Sequence, residues 1–142
     1  MSHKHAKVAA LIEPFQGRDR DAHYLSYFDC FNRQLFFEAH EVLEELWLKE
    51  RAGSEDLFYK GLIQLAGAFV HVQKQRIGPA TALLRLARGN LQRYPSTHQG
   101  LEAAGVLALI EDWLARLAVA GPDVDSIKLG QPPRLCLQLG SS

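Results

Sequence analysis

Phe36-Phe37-Glu38-Ala39-His40-Glu41-Val42-Leu43-Glu44-Glu45-Leu46-Trp47 is the stretch whose reading decides the fold. Wound at about 100° per residue, the turn of a 3.6-residue helix, it sorts into faces. Leu35, Ala39, Val42, Leu43 and Leu46 form the main apolar face, Phe36 and Trp47 extend it, and Phe37 with Leu48 makes a second apolar ridge. His40 and Glu44, one turn apart, fall between the ridges, while Glu38, Glu45 and Lys49 are expected to point to water.

The same period runs outward in both directions, and no segment sustains the two-residue alternation of a half-buried strand, so the fold class is all-α. A weak segment, Lys7 to Phe15, precedes a helix from about Asp19 to Asn32. The quoted helix spans roughly Gln34 to Arg51 and stops at Ala52-Gly53-Ser54, with Gly53 suited to its C-terminal cap and Ser54 to the next N-cap. The next helix, about Glu55 to Arg76, is apolar on nearly every side and marks the centre of a bundle. Gly61 and Gly67 inside it cost roughly 1 kcal/mol each in propensity, which close helix contact would offset. Gly78-Pro79 ends that helix and begins another to about Arg93; a last one covers approximately Gly100 to Ala120 and stops at Gly121-Pro122. The expectation is a compact single-domain bundle of about five helices over 1–142, with its core in 19–120 and an irregular tail or strap in 121–142.

A chain of 142 residues can bury a core without covalent staples. Sixteen basic and sixteen acidic residues cancel, so no global charge favours nucleic acid or an anionic membrane. The apolar run Val8 to Ile12 is too short for a signal-peptide core or a membrane span, which makes the cytoplasm the expected location. Cys30 and Cys136 fit neither a disulfide framework nor a cysteine zinc site, and Cys30 reads as a buried free thiol.

A short loop near Gly53 makes the two central helices antiparallel neighbours. In that hairpin Gln64 lies opposite His40 and Glu41, and Lys60 opposite Glu44. Lys60, Gln64, Gly67 and His71 share one stripe at i, i+4, i+7 and i+11. His71 falls about 9 Å beyond His40 along the axis, too far for an evident direct partner. The expected polar cluster is His40, Glu41, Glu44 and Gln64, roofed by Trp47, with His71 further along.

These residues carry a resemblance. Phe31-Asn32, Glu38 to Glu44, Trp47, Gly61-Leu62-Ile63-Gln64 and His71 resemble the signature of the family catalogued as Domain of Unknown Function number 309, small all-α proteins. The similarity runs from about Tyr24 to Leu117. It implies a compact helical bundle and brings no activity. Arg33-Gln34-Leu35 stands where the family commonly has a glycine-containing turn, so the join there is expected to be tighter or continuous.

Three readings of the cluster follow. In the first, His40 donates to Glu44 or Glu41, Gln64 satisfies a carboxylate, and the network fixes the hairpin's register. In the second, His40 and Glu44 hold a divalent metal at the i, i+4 spacing of zincin ligands, with Glu41 in the general-base position. In the third, Glu41 and His40 serve metal-free proton transfer or line a small-ligand pocket. The first is preferred, in a small binding or interaction module; a metal-binding or hydrolase-like enzyme is the alternative.

Charge layout adds a partner reading. Seven acidic residues lie between Glu38 and Asp56, but none between Leu57 and Leu101, where Lys60, Lys74, Arg76, Arg85, Arg88 and Arg93 stand. Arg85 and Arg88 share a face that reads as a basic patch for a protein, a nucleotide or RNA or, as preferred, as a solvated face that partly neutralises the quoted helix; a protein partner or a second copy of the chain stays open. The absence of a nucleic-acid motif argues against RNA or DNA.

Overall fold

The computed structural model describes residues 3–120, and six α-helices are found there: α1 (His3–Ile12), α2 (Ala22–Asn32), α3 (Phe36–Glu50), α4 (Asp56–Gln73), α5 (Ile77–Leu91) and α6 (Ala103–Ala120). A 3-10 turn, Glu13–Phe15, follows α1, and two-residue strands β1 (Thr97–His98) and β2 (Leu101–Glu102) pair antiparallel before α6. The all-α class holds, with one more helix than expected because the weak first segment forms α1. The proposed strap and Cys136 lie outside the described residues.

Backbone chemistry at the helix ends explains where the boundaries move. Asp21 caps α2 by accepting the His23 backbone N–H at 2.7 Å. At the other end, Leu35 N–H donates to the Cys30 carbonyl at 2.8 Å and Gln34 N–H to that of Phe31 at 2.9 Å. This is a Schellman closure with Gln34 in the left-handed region at φ 64°. The join of α2 and α3 is therefore a defined break, not a continuous helix; glutamine takes the conformation that glycine would take more cheaply. The end of α4 repeats the device: Arg76 N–H reaches the His71 carbonyl at 2.9 Å, Gln75 N–H that of Val72 at 3.0 Å, and Gln75 has φ 59°. That helix thus stops ahead of Gly78-Pro79, which falls in the first turn of α5.

Two other expected caps are corrected. Ala52, not Gly53, is the left-handed residue after α3, at φ 69°. Glu55 rather than Ser54 occupies the N-cap position of α4, and the Ser54 carbonyl instead accepts the Tyr94 hydroxyl at 2.9 Å. The last helix begins at Ala103, three residues later than expected, because Gln99 and Gly100, at φ 47° and 76°, turn the chain between β1 and β2.

One apolar core gathers residues from α2 through α6. Its spine is aromatic: Phe31 meets Phe36 at 5.0 Å and Phe69 at 5.8 Å, and Phe69 meets Trp113 edge-on at 5.1 Å. Phe69, which also meets Phe36 at 5.3 Å, links α2 and α3 to α6, while α4 itself packs along α3 on one side and α5 on the other. Tyr27 donates its hydroxyl to the Leu62 carbonyl at 2.6 Å, giving a fully buried phenol its partner. Cys30 is a buried free thiol, and burial pushes its pKa up. A smaller cluster of Val8, Ile12, Ala22 and Val42 seats α1 on α2 and α3.

Gly61 makes the close contact expected of it. A Cβ there would stand 3.0 Å from Leu91 Cδ2 and 3.2 Å from Asn90 Cβ, so α5 packs almost onto the α4 backbone. Overpacking costs about 1–3 kcal/mol, against roughly 1 kcal/mol of recovered propensity. Gly61→Ala is expected to lower stability by up to about 2 kcal/mol, read as a lower denaturation midpoint with unchanged slope. Gln34→Gly and Gln75→Gly should each raise stability by roughly 0.5–1 kcal/mol in the same assay, because they relieve a left-handed side chain. A fall for either would refute the capping argument.

Candidate functional site

The hairpin of α3 and α4 is tied at both ends. Near the loop the Trp47 indole N–H donates to Asp56 Oδ1; at the far end Gln73 Nε2 donates to the Gln34 carbonyl at 3.4 Å. Between these ties lies an open groove of about 330 Å³. Phe37 and His40 of α3 form one wall, Ile63, Gln64, Gly67, Val70 and His71 of α4 the other, and Lys74 and Leu83 complete the lining.

His40 and His71 have an unusual feature in common. The Nδ1 atom of each ring is buried, and neither has a hydrogen-bond partner among the described residues. Leaving such an atom unpaired costs about 1–3 kcal/mol. His40 Nε2 lies 3.6 Å from Glu44 Oε2, a contact longer than a hydrogen bond, and the ring stacks at 6.0 Å on half-exposed Phe37. Burial lowers the pKa of His40, outweighing the opposing pull of Glu44. Burial also lowers that of His71, helped by the charges of Arg76 and Lys74.

The enclosed cluster expected from sequence is divided. Gln64 satisfies no carboxylate; its Oε1 accepts from Asn90 Nδ2 of α5 at 2.8 Å. Trp47 is not part of the groove lining: it packs against the core, its indole N–H goes to Asp56, and Arg51 lies over its ring at 5.5 Å. Glu41 and Glu44 turn to α1. Lys7 donates to buried Glu41 at 3.1 Å and lies 3.4 Å from Glu38, and Lys4 pairs with Glu44. Glu45, expected to face water, contacts His23 at 3.2 Å and His5 at 3.4 Å. Partial burial would raise its pKa, but those two hydrogen bonds bring it below the usual value. The physical reason is α1, which covers the outer side of α3 and brings two lysines onto its carboxylates.

For the metal reading, no group of three or more His, Cys, Asp and Glu side chains placed to hold an ion occurs among the described residues. The Arg85 and Arg88 patch is also interrupted: Arg88 donates to Glu111 of α6 at 2.7 Å, while Arg85 stays exposed. No helix among the described residues is long and apolar enough to cross a membrane.

Sequence reasoning missed Lys74, although it is the next step on the stripe of Gln64, Gly67 and His71. It also missed a second polar cluster, at the opposite end of the hairpin. Glu55 Oε1 receives His98 Nε2 at 2.6 Å and the Gln99 amide, which also donates to the Tyr59 hydroxyl at 3.1 Å. Every group there has a partner and the arrangement clamps β1 and β2 onto α4, so the groove is the stronger candidate.

Residues 24–83 match the profile of the family described as "Domain of unknown function (DUF309)". The resemblance read from the motif is borne out over that stretch, which is shorter than the Tyr24 to Leu117 expected and contains every residue lining the groove. The Uncharacterized protein YpuF of Bacillus subtilis (strain 168) is 31% identical over 71 residues, 50% of this chain and 39% of that protein. The chain therefore spans well under half of that relative's length. Comparison with solved structures finds no match.

Titration of the histidine ring signals by NMR should place both His40 and His71 below the ordinary value of about 6.5. Glu44→Gln should move His40 lower still, by removing a charge that favours the imidazolium, and Lys4→Met should move it higher. Because these rings bind protons less readily folded than unfolded, they make stability fall as pH drops from about 6.5 toward their depressed values, with no contribution above it. A His40 midpoint at or above the ordinary value would contradict the burial argument.

Proposed function

We propose that this protein is a small binding module whose ligand-receiving surface is the groove between α3 and α4. The supporting observation is the pair of buried ring nitrogens, on His40 and His71, that flank the groove without protein partners. The first reading from sequence had polar residues organising the hairpin, and Trp47, Gln64 and Gln73 do tie helices together. The histidine Nδ1 atoms have no such part. Polar atoms that a fold leaves costly and unpaired beside an opening are a mark of binding sites. The groove volume also falls at the lower end of the roughly 300–1,000 Å³ range of small-molecule pockets.

An acid–base enzyme is the second reading, and its support is the contact of His40 with Glu44, which favours a proton on Nε2 and leaves Nδ1 basic. Against it, Glu44 is also bound to Lys4, and among the described residues the groove lining holds no Ser, Thr, Cys, Asp or Glu. Binding is therefore the better-supported function.

Gly67 offers a clean test. It forms part of the groove lining, and a Cβ there meets only the flexible end of Leu83, at 3.3 Å. Gly67→Leu should fill the groove while keeping the fold, since leucine is the better helix former by roughly 0.8 kcal/mol. Indole, titrated while amide shifts are followed by NMR, should perturb His40, Gly67 and His71 saturably in the parent chain and not in Gly67→Leu. Shifts that map elsewhere, or that persist in the filled variant, would overturn the proposal.

A further inference from the structure

Resting on the groove as a binding site, its charge and shape narrow the ligand. Among the described residues of the lining, Lys74 alone is fully charged. Arg76 stands two residues on, and both cations help to depress His71, so their field reaches into that end of the groove. No carboxylate opposes them from α5, from the chain joining it to α4, or from α4 beyond Asp56 at that helix's opposite end, because the sequence from Leu57 to Leu101 contains none. The acidic residues nearest on α3 are drawn off: Glu38 and Glu41 to Lys7, and Glu44 to Lys4.

The end of α4 would ordinarily repel an anion through its exposed carbonyls. Here those of Val70, His71 and Val72 are taken up by the backbone N–H groups of Lys74, Gln75 and Arg76. Gln64, with its oxygen committed to Asn90, has donor hydrogens left to offer. The remaining lining, Ile63, Gly67, Val70 and Leu83, is apolar, and half-exposed Phe37 provides an aromatic face. The groove is thus cationic at one end and apolar along its length.

We propose that it takes a small amphipathic carboxylate, with an aromatic or aliphatic body lying against Ile63, Gly67, Val70 and Leu83 and the carboxylate beside Lys74. Lys74 acts as a point charge at the open end, so the ligand's apolar part supplies most of the affinity and its charge sets orientation and preference.

The experiment compares 2-naphthoate with its neutral counterpart 2-naphthamide, each titrated by NMR against the parent chain and against Lys74→Glu, whose folding is checked by circular dichroism. Lys74 is exposed, so reversing its charge leaves the core untouched. Naphthoate should bind the parent saturably, moving the ring signals of His71 and the amide of Gly67. Affinity should fall about two- to fivefold for naphthamide, the size expected of one partly screened charge pair, and further for naphthoate on Lys74→Glu, where attraction becomes repulsion. If naphthamide binds the groove as tightly as naphthoate, or Lys74→Glu leaves naphthoate affinity unchanged, the carboxylate preference is wrong while the groove stands as a binding site. If neither probe perturbs the groove, the inference fails together with the reading beneath it.

Discussion

The register of α3 against α4 is the constraint on which the rest of the molecule depends. It is set at one end by the indole of Trp47 on Asp56 and at the other by Gln73 on the carbonyl of Gln34. Leu43, Leu62, Leu65 and Phe69 are fully buried in the core between these ties. A slide of one residue would rotate each helix face by about 100° and bring polar groups into that core. With the register fixed, His40 stands near Gln64 and Phe37 near His71 along the flank of the hairpin, and a groove results. Gly61 fixes the other side of α4 by letting Leu91 and Asn90 approach its backbone; Asn90 then holds Gln64 in place.

Zero net charge conceals a separation that the fold puts to use. Four of the five carboxylates of α3, those of Glu38, Glu41, Glu44 and Glu45, are spent on α1 and α2, through Lys4, Lys7, His5 and His23. The cations around the end of α4 have no such counterparts among the described residues. Negative and positive residues close in sequence thereby come to face different neighbours, and the groove inherits the positive side.

What could be read from the sequence depended on whether the signal was local. The 3.6-residue period of α3 and α4 stated both helices, their antiparallel pairing and the stripe of Gln64, Gly67 and His71. The close approach at Gly61 also followed, because glycine inside a strong helix demands compensation. Partner choice did not follow. Glu41 looked available to His40 until α1 was seen to deliver Lys7, and nothing in a weakly patterned segment says where it docks. The left-handed conformations of Gln34 and Gln75 were equally silent, since glutamine carries no conformational signature of the sort glycine does. Strands β1 and β2, two residues each, are too short for any alternation to register, and their only marker is the Gln99-Gly100 turn.

The seat of α1 has a consequence for how the molecule comes apart. Buried Val8 and Ile12 hold it together with partly buried Leu11, whose carbonyl accepts the Ser26 hydroxyl at 3.1 Å, and the rest of its hold is a border of ion pairs to α3. Such pairs weaken as ionic strength rises, whereas the aromatic spine does not. This helix is therefore expected to open locally ahead of α4, with its amide hydrogens exchanging before those of the central helix. Lys7, which rests over the Phe37 ring at 5.3 Å, leaves with it. Salt thus reaches the rim of the groove through the amino-terminal helix without disturbing the interior.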